Sequence, residues 1–404
     1  MASFNLWRRK SRTILVIIML GFGLAAMIFS QGLYEGMMVQ MKGDLIRTGA
    51  GEIVVYRKGY EASRLLSDYI RDPGTLKEML SKDDNIAYFV SRVRCDGIVS
   101  SAKYSQEANI IGIDVDKEGP FIGYKGPVVK GEFKADGNAN TVMLGKKLAE
   151  KLKVDIGKKI VVQGQALDKE LTAFAFRVAG IIRTNNPDID TSGVLVDKRQ
   201  LQKLFKVDGV TEFSMLLKGK TDVDTIKNEL REKIKKIDKE PLEVFTWKET
   251  QPLMVLWDTV FEYFIYISYF IMFIVVALGI FFILFISIME RVKEFGILMA
   301  LGTPFLSICR IVFFESLIMG LIGYVCGALS GLFLLIIFKN FGLDLSHFSS
   351  GLIDVGMAAV MFPEIRGGYF VLAFIAMLTS SGIAAIVPLW KLRRLKAVEA
   401  IRFI

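Results

Sequence analysis

Four long apolar stretches interrupt a chain whose remainder alternates apolar and polar positions. The first, "TILVIIMLGFGLAAMIFSQGL" from Thr13 to Leu33, is long enough as a helix to cross a hydrocarbon core of roughly 30 Å. The others run over 261–289, 305–338 and 369–390. At 1.5 Å per residue the second and third spans make helices of roughly 43 and 51 Å, so they tilt, kink or project at their outer ends.

Between the first two spans, residues 35–260 change character. "GEIVVYRKGY" (51–60), "KIVVQG" and "AFRVAGIIR" carry the β-branched alternation of strands, and "NTVMLGKKLAEKLKVDIGKKI" (140–160) reads as strand, helix and turn. "DVDTIKNELREKIKKI" (222–237) is a charged helix with Val223, Ile226, Leu230 and Ile234 along one stripe. A segment of this size buries its own core, so the expected fold is an integral membrane α-helical protein of four transmembrane helices. A large α+β extracytoplasmic domain of two lobes is inserted between helices 1 and 2.

Charge assigns the sides. The net charge of +9 raises the question of nucleic acid. However, 35–260 is nearly balanced, with 37 Lys/Arg against 34 Asp/Glu. The excess flanks the apolar stretches: Arg8, Arg9, Lys10 and Arg12 before the first, and Lys391, Arg393, Arg394 and Lys396 after the last. Nucleic acid is therefore not an expected partner. Cytoplasmic flanks retain Lys and Arg, so 1–12, 290–304 and 391–404 are expected inside the cell and 35–260 and 339–368 outside. The expected location is the inner (cytoplasmic) membrane, in contact with lipid, with both termini cytoplasmic and the large domain periplasmic. "MIFSQG" is a poor cleavage site, so the first span is expected to stay as an anchor.

Hydrolytic and metal chemistry find no support. Cys95 is alone in the polar region, no Cys/His spacing suits zinc, and His347, the single histidine, has no nucleophile elbow. No phosphate-binding G-x-x-x-x-G-K-[ST] loop occurs: before Gly219-Lys220-Thr221, Ser214 stands where the first glycine belongs. No catalytic residue, metal or directly bound cofactor is expected. The acidic "NNPDID" (185–190) reads as a turn.

Three patterns invite functional readings. "ERVKEFGILMALGTPF" (290–305) begins charged, carries Val292, Phe295, Leu298 and Met299 at helical spacing, and ends where Gly302 suits a left-handed helix end. Thr303 and Pro304 then suit the N-cap and first position of the next span. This is either an interfacial loop helix or a docking knob. Gly323, Gly327 and Gly331 share one helix face, for packing inside the subunit or along a dimer seam. Glu315, costly in lipid, has to face protein or water. Met37, Met38 and Met41 of "MIFSQGLYEGMMVQM" lie opposite Trp257, Phe261, Glu262 and Phe264 of "LWDTVFEYFIYISYF". These form either an aromatic belt or an apolar vestibule for an amphiphile, with Glu262 meeting its polar group.

"ERVKEFGILMALGTPFLSICRIVFFESLIMGLIGYVCGALSG" resembles the core of FtsX/MacB-type ABC transporter permeases. "PLWKLRRLKAVEAIR" (388–402) is similar to that family's closing segment, with Ala397 where the family often has proline. The resemblance covers the whole topology. It implies an exporter half served by two copies of a separate ABC ATPase, which would supply ATP and Mg. Glu290, Arg291, Glu294, Phe295, Gly296 and Gly302 match the family motif, so 290–304 would be the coupling helix, its charges pairing across the interface and Phe295 filling a groove.

Within the family, ectodomain size and "DLIRTGAGEIVVYRKGY" (44–60) look most like the lipoprotein-releasing LolC/LolE permeases. That likeness implies release of lipoproteins to a periplasmic chaperone, by a homo- or heterodimer of permeases. "QGQALDKEL" (163–171) is short where LolC-like subunits carry a chaperone-recruiting hook, which points to a LolE-like or undivided subunit. Two other functions fit the topology: a MacB-like efflux permease working with an adaptor, and an FtsX-like regulator of a cell-wall hydrolase.

Overall fold

The computed structural model describes residues 10–121, 128–132, 140–219, 222–237, 240–345 and 357–394. Arg8, Arg9, Lys220, Thr221, His347 and Lys396 lie outside them. In chain order, α1 (Lys10–Thr48) leads to β1 (Ile53–Arg57), α2 (Pro73–Ser81), β2 (Ile86–Ser100) and β3 (Ser105–Ile113). Next come β4 (Val128–Gly131), β5 (Thr141–Gly145), α3 (Lys146–Leu152), β6 (Lys159–Gln165) and β7 (Leu171–Ile182). They are followed by α4 (Pro187–Ser192), β8 (Gly193–Asp197), α5 (Lys198–Phe205), β9 (Glu212–Leu217), α6 (Val223–Lys235) and β10 (Leu242–Thr246). The remaining elements are α7 (Pro252–Glu290), α8 (Val292–Ala300), α9 (Phe305–Phe341), β11 (Leu343–Asp344), β12 (Val360–Met361) and α10 (Gly367–Arg394).

These elements make two compact units, one built on the long helices and one holding Val39–Leu256. The second is organised by β2. Its Ile86–Arg92 half pairs with β9 and its Val93–Ser100 half with β3, so one 15-residue strand serves two lobes. In the first lobe β1-α2-β2 and β9-α6-β10 interleave, giving the antiparallel order β10-β1-β9-β2. The second lobe, between β2 and β9 in sequence, continues the sheet as β3-β8-β5-β7-β4, with β6 joining β2 and β7. One core containing Ile53, Val93, Ile110, Val142, Phe213 and Leu230 runs beneath both, and a second, with Val90, Ile111, Met143 and Leu195, is separate from it.

Local chemistry sets the helix starts. Asp72 accepts from Thr75 N at 3.2 Å ahead of Pro73, and Asp222 accepts from Thr225 N at 3.2 Å, each satisfying a first-turn donor. On α6 the expected stripe is inward: Ile226, Leu230 and Ile234 are buried and Val223 packs at the core edge. "NNPDID", expected as a turn, instead opens α4: Asn186 is its N-cap and accepts from Asp188 N, and Asp190 accepts from Thr184.

Among the described residues four helices, covering all or most of α1, α7, α9 and α10, are long and apolar enough to cross a membrane. Along α7, residues such as Tyr263, Ile267, Phe270, Ile274 and Leu278 are exposed, as a lipid-facing surface requires. The 339–368 connection lies against α1: Glu364 N donates to Gly32 O at 2.8 Å, and Arg366 pairs with Glu35 at 2.9 Å. Its residues 346–356 are outside the described ones.

Candidate functional site

Three features of the helical unit carry the functional readings. The first is α8. Gly302 adopts φ +88° and its N–H bonds Met299 O at 3.1 Å, while Thr303 N bonds Leu298 O at 3.0 Å. This is a Schellman closure, for which a residue without Cβ is the natural choice. The next helix is capped one residue later than expected: Pro304, extended at ψ 140°, is the N-cap in place of Thr303, and Phe305 begins the helix.

The two faces of α8 differ from the expected stripe. Val292, Phe295 and Gly296 are buried, but Leu298 is exposed. Phe295, 1% exposed, packs in one core with Ile288, Ile308 and Val312. It anchors α8 to its own chain and is not available to fill a partner's groove. Arg291 also turns inward: Nε donates to Glu294 Oε2 at 3.1 Å, Nη1 pairs with Glu315 Oε2 at 3.6 Å, and the guanidinium lies 5.0 Å from the Phe295 ring centroid. The outward face is Glu290, Lys293 and Glu294 followed by Ile297, Leu298 and Leu301, a charged start and an apolar end at helical spacing.

The glycine row is used within the chain. A Cβ on Gly323 would meet Leu20 Cβ at 3.0 Å. On Gly327 it would meet Leu24 Cβ at 2.7 Å and Gly21 O at 2.8 Å, and on Gly331 Ile28 Cγ2 at 3.0 Å. Leu20, Leu24 and Ile28, four residues apart on α1, thus seat on α9 where side chains are missing. Of the two readings left open by the spacing, this favours packing inside the subunit.

The third feature is a cavity of about 200 Å³ between α1 and α7, lined by Met27, Ser30, Gln31, Tyr34, Phe261, Phe264, Ile265, Ser268 and Tyr269. Tyr34 and Phe261 stack at 5.2 Å between centroids, and Trp257 stacks on Phe261 at 5.6 Å. Tyr34 Oη is buried without a hydrogen-bond partner among the described residues. A buried, unpaired hydroxyl is costly and readily pays that debt to a bound polar group.

The two segments expected to face each other line one cavity, but with a different set of residues. Phe261 and Phe264 line the cavity, and Trp257 flanks it. Met37 and Met38 are buried elsewhere, Met41 is half-buried, and none lines it. Glu262 points outward, accepting from Tyr266 Oη at 3.2 Å. The polar groups at the cavity are instead Ser30, Gln31, Tyr34 and Ser268. Met27, Ser30, Gln31 and Tyr34 repeat at i, i+3, i+4 and i+7, as do Phe261, Phe264, Ile265 and Ser268. That shared period is the signal that residue type obscured.

The family described as MacB-like periplasmic core domain matches residues 13–233, and the one described as FtsX-like permease C-terminal matches residues 266–397. Among curated relatives, the lipoprotein-releasing system transmembrane protein LolC of Xylella fastidiosa is 23% identical over 65% of this chain and 64% of its own length. An uncharacterized ABC transporter permease of Methanocaldococcus jannaschii is 30% identical over 39% of this chain and 40% of its own. The chain thus spans less than two thirds of the curated relatives it matches. Among solved structures, the periplasmic region of MacB from Actinobacillus actinomycetemcomitans is similar over 52% of this chain and 95% of its own, at 15% identity and a TM-score of 0.37. The extracellular domain of the transporter YknZ from Gram-positive bacteria is similar over 48% and 99%, at 15% identity and a TM-score of 0.34.

Proposed function

Because this chain belongs to the FtsX/MacB-type family of ABC transporter permeases, with a MacB-like periplasmic core domain and an FtsX-like C-terminal region, we propose that it extrudes an amphiphilic cargo, a lipoprotein, from the inner membrane. Hydrolysis takes place on a separate ATPase, two copies of which dock on the α8 faces of a pair of permeases. The observation that carries this reading is the α1–α7 cavity: aromatic walls to hold acyl chains, with Ser30, Gln31, Tyr34 and Ser268 to meet a polar linkage. Aromatic and aliphatic lining with a few placed polar groups is what a site for such a molecule needs.

On the outward face of α8 and its two flanks, Glu290, Lys293 and Glu294 pair with charges on the ATPase while Ile297 and Leu301 bury against it. Removing that apolar pair costs affinity more than altering one rim charge does. The short β6–β7 turn, closed by Ala166 N to Glu170 O at 2.9 Å, supports a subunit that leaves chaperone recruitment to its partner permease. Depletion of the protein followed by fractionation of the envelope tests the proposal. Lipoproteins retained in the inner membrane support it; an unchanged distribution refutes it.

A further inference from the structure

Glu315 is 5% exposed and sits three turns into α9, where an ionised carboxylate needs a stated partner. That partner is Arg291, the residue joining α7 to α8, at 3.6 Å. The same guanidinium holds α8 twice more, through Glu294 Oε2 at 3.1 Å and the face of Phe295 at 5.0 Å. Phe295 is in turn sealed against Ile308 and Val312 of α9. One arginine therefore ties the start of α8 to the third turn of α9.

We infer that the Arg291–Glu315 pair is a latch that makes α8 and α9 move as one body, and that these are positioning residues for transport. Displacement of α8 passes to α9, whose glycine row is seated on Leu20, Leu24 and Ile28 of α1. The same and the next turns of α1 carry Met27, Ser30, Gln31 and Tyr34, one wall of the cavity. Closely packed interiors pass on a shift of this kind because they do not deform smoothly. Arg291 and Glu315 thus act inside the permease, as distinct from the outward-facing residues proposed for docking. This inference rests on the ABC-permease reading only for what drives α8; the latch itself is a property of this chain.

The test uses the full-length protein in lipid nanodiscs, with Cys95 replaced by alanine and Cys309 and Cys326 by serine. Spin labels at Ile297→Cys on α8 and Leu321→Cys on α9 report their separation. The unaltered pair gives one narrow distance peak. Glu315→Gln, which keeps the side-chain shape, loses that peak, and Arg291→Glu does the same. Arg291→Glu with Glu315→Arg restores it, a rescue that packing alone does not provide. A narrow peak in Glu315→Gln, or a reversed pair no better than the single variants, overturns the latch.

A second arm measures ATP hydrolysis by the complex with the copurifying ATPase. Glu315→Gln retains the ATPase in equal amount but lowers permease-stimulated hydrolysis about ten-fold, within the range of coupling between sites. Equal stimulation in Glu315→Gln overturns the transmission role. Failure of the unaltered permease to retain any ATPase counts against the proposed function and leaves the latch to stand or fall on the distance peaks.

Discussion

The two ends of α1 are held by opposite kinds of chemistry. In the helical unit the Leu20, Leu24 and Ile28 stretch of α1 presses onto Gly323, Gly327 and Gly331, backbone close to backbone. In the other unit Lys42 lies 4.4 Å from the Trp247 ring centroid, Asp44 accepts from Asn185 at 3.1 Å, and Thr48 accepts from Asn186 at 2.8 Å. Gly49 O then accepts from Arg92, which is fully buried and bidentate to Glu118 at 2.7 and 2.8 Å. The difference follows from the solvent. In lipid no hydrophobic force drives helices together, so small residues and close fit do it. In water the carbonyls at a helix end compete with solvent, and satisfied polar partners hold that end.

The largest effect should come from breaking the polar anchor. Arg92→Met leaves Glu118 buried without its cation and Glu212 with Arg94 alone, and should destabilise the chain by about 3–5 kcal/mol. Thermal unfolding of the full-length protein in detergent measures it, and Arg92→Met with Glu118→Gln should regain part of the loss. A shift no larger than a surface substitution gives would remove the distinction drawn here.

The apolar seam should be next. Gly327→Leu forces a side chain into Leu24 and the Gly21 carbonyl, an overpacking cost of about 1–3 kcal/mol. Gly43→Leu, on the same α1 but with open space around it, should be neutral or slightly stabilising and controls for helix propensity. Asn186→Ala, which removes the buried hydrogen bond to Thr48 and the N-cap of α4, should cost about 1–2 kcal/mol.

The smallest effect concerns Cys95. Its burial, reinforced by the Asp96 charge, pushes the thiol up from 9.0 to about 12. The folded chain should leave it unalkylated near neutral pH, and denaturation should expose it. The sign of the linked stability follows: between 9.0 and about 12 the unfolded thiol ionises while the folded one stays neutral, so this contribution is lost as pH rises through that window.

Much of this architecture is legible in the sequence because its signals are local. Apolar length marks the spans, Gly302 marks the end of α8, and the 3.6-residue period of Ile226, Leu230 and Ile234 marks the buried face of α6. What escapes is set by residues far apart in the chain. β2 changes partner at Arg92/Val93, so no single alternation describes it. Leu298 and Phe295 are equally apolar in the sequence, and only the packing of α9 decides that Phe295 goes inward. Glu315 advertises a need for a partner but not that Arg291 supplies it. Near the cavity the methionines are the adaptable residue type, whereas helix phase chooses the lining and favours Ser30, Gln31 and Tyr34.

The central claim is that an acylated cargo occupies the α1–α7 cavity and leaves it when ATP is hydrolysed. The direct measurement places a photoreactive benzoyl-phenylalanine at Phe264 in living cells, followed by illumination and analysis of the adducts. The account predicts a crosslink to an acylated lipoprotein that accumulates when ATP is depleted and falls when it is restored. No lipoprotein adduct, or one whose amount is indifferent to ATP, would contradict it.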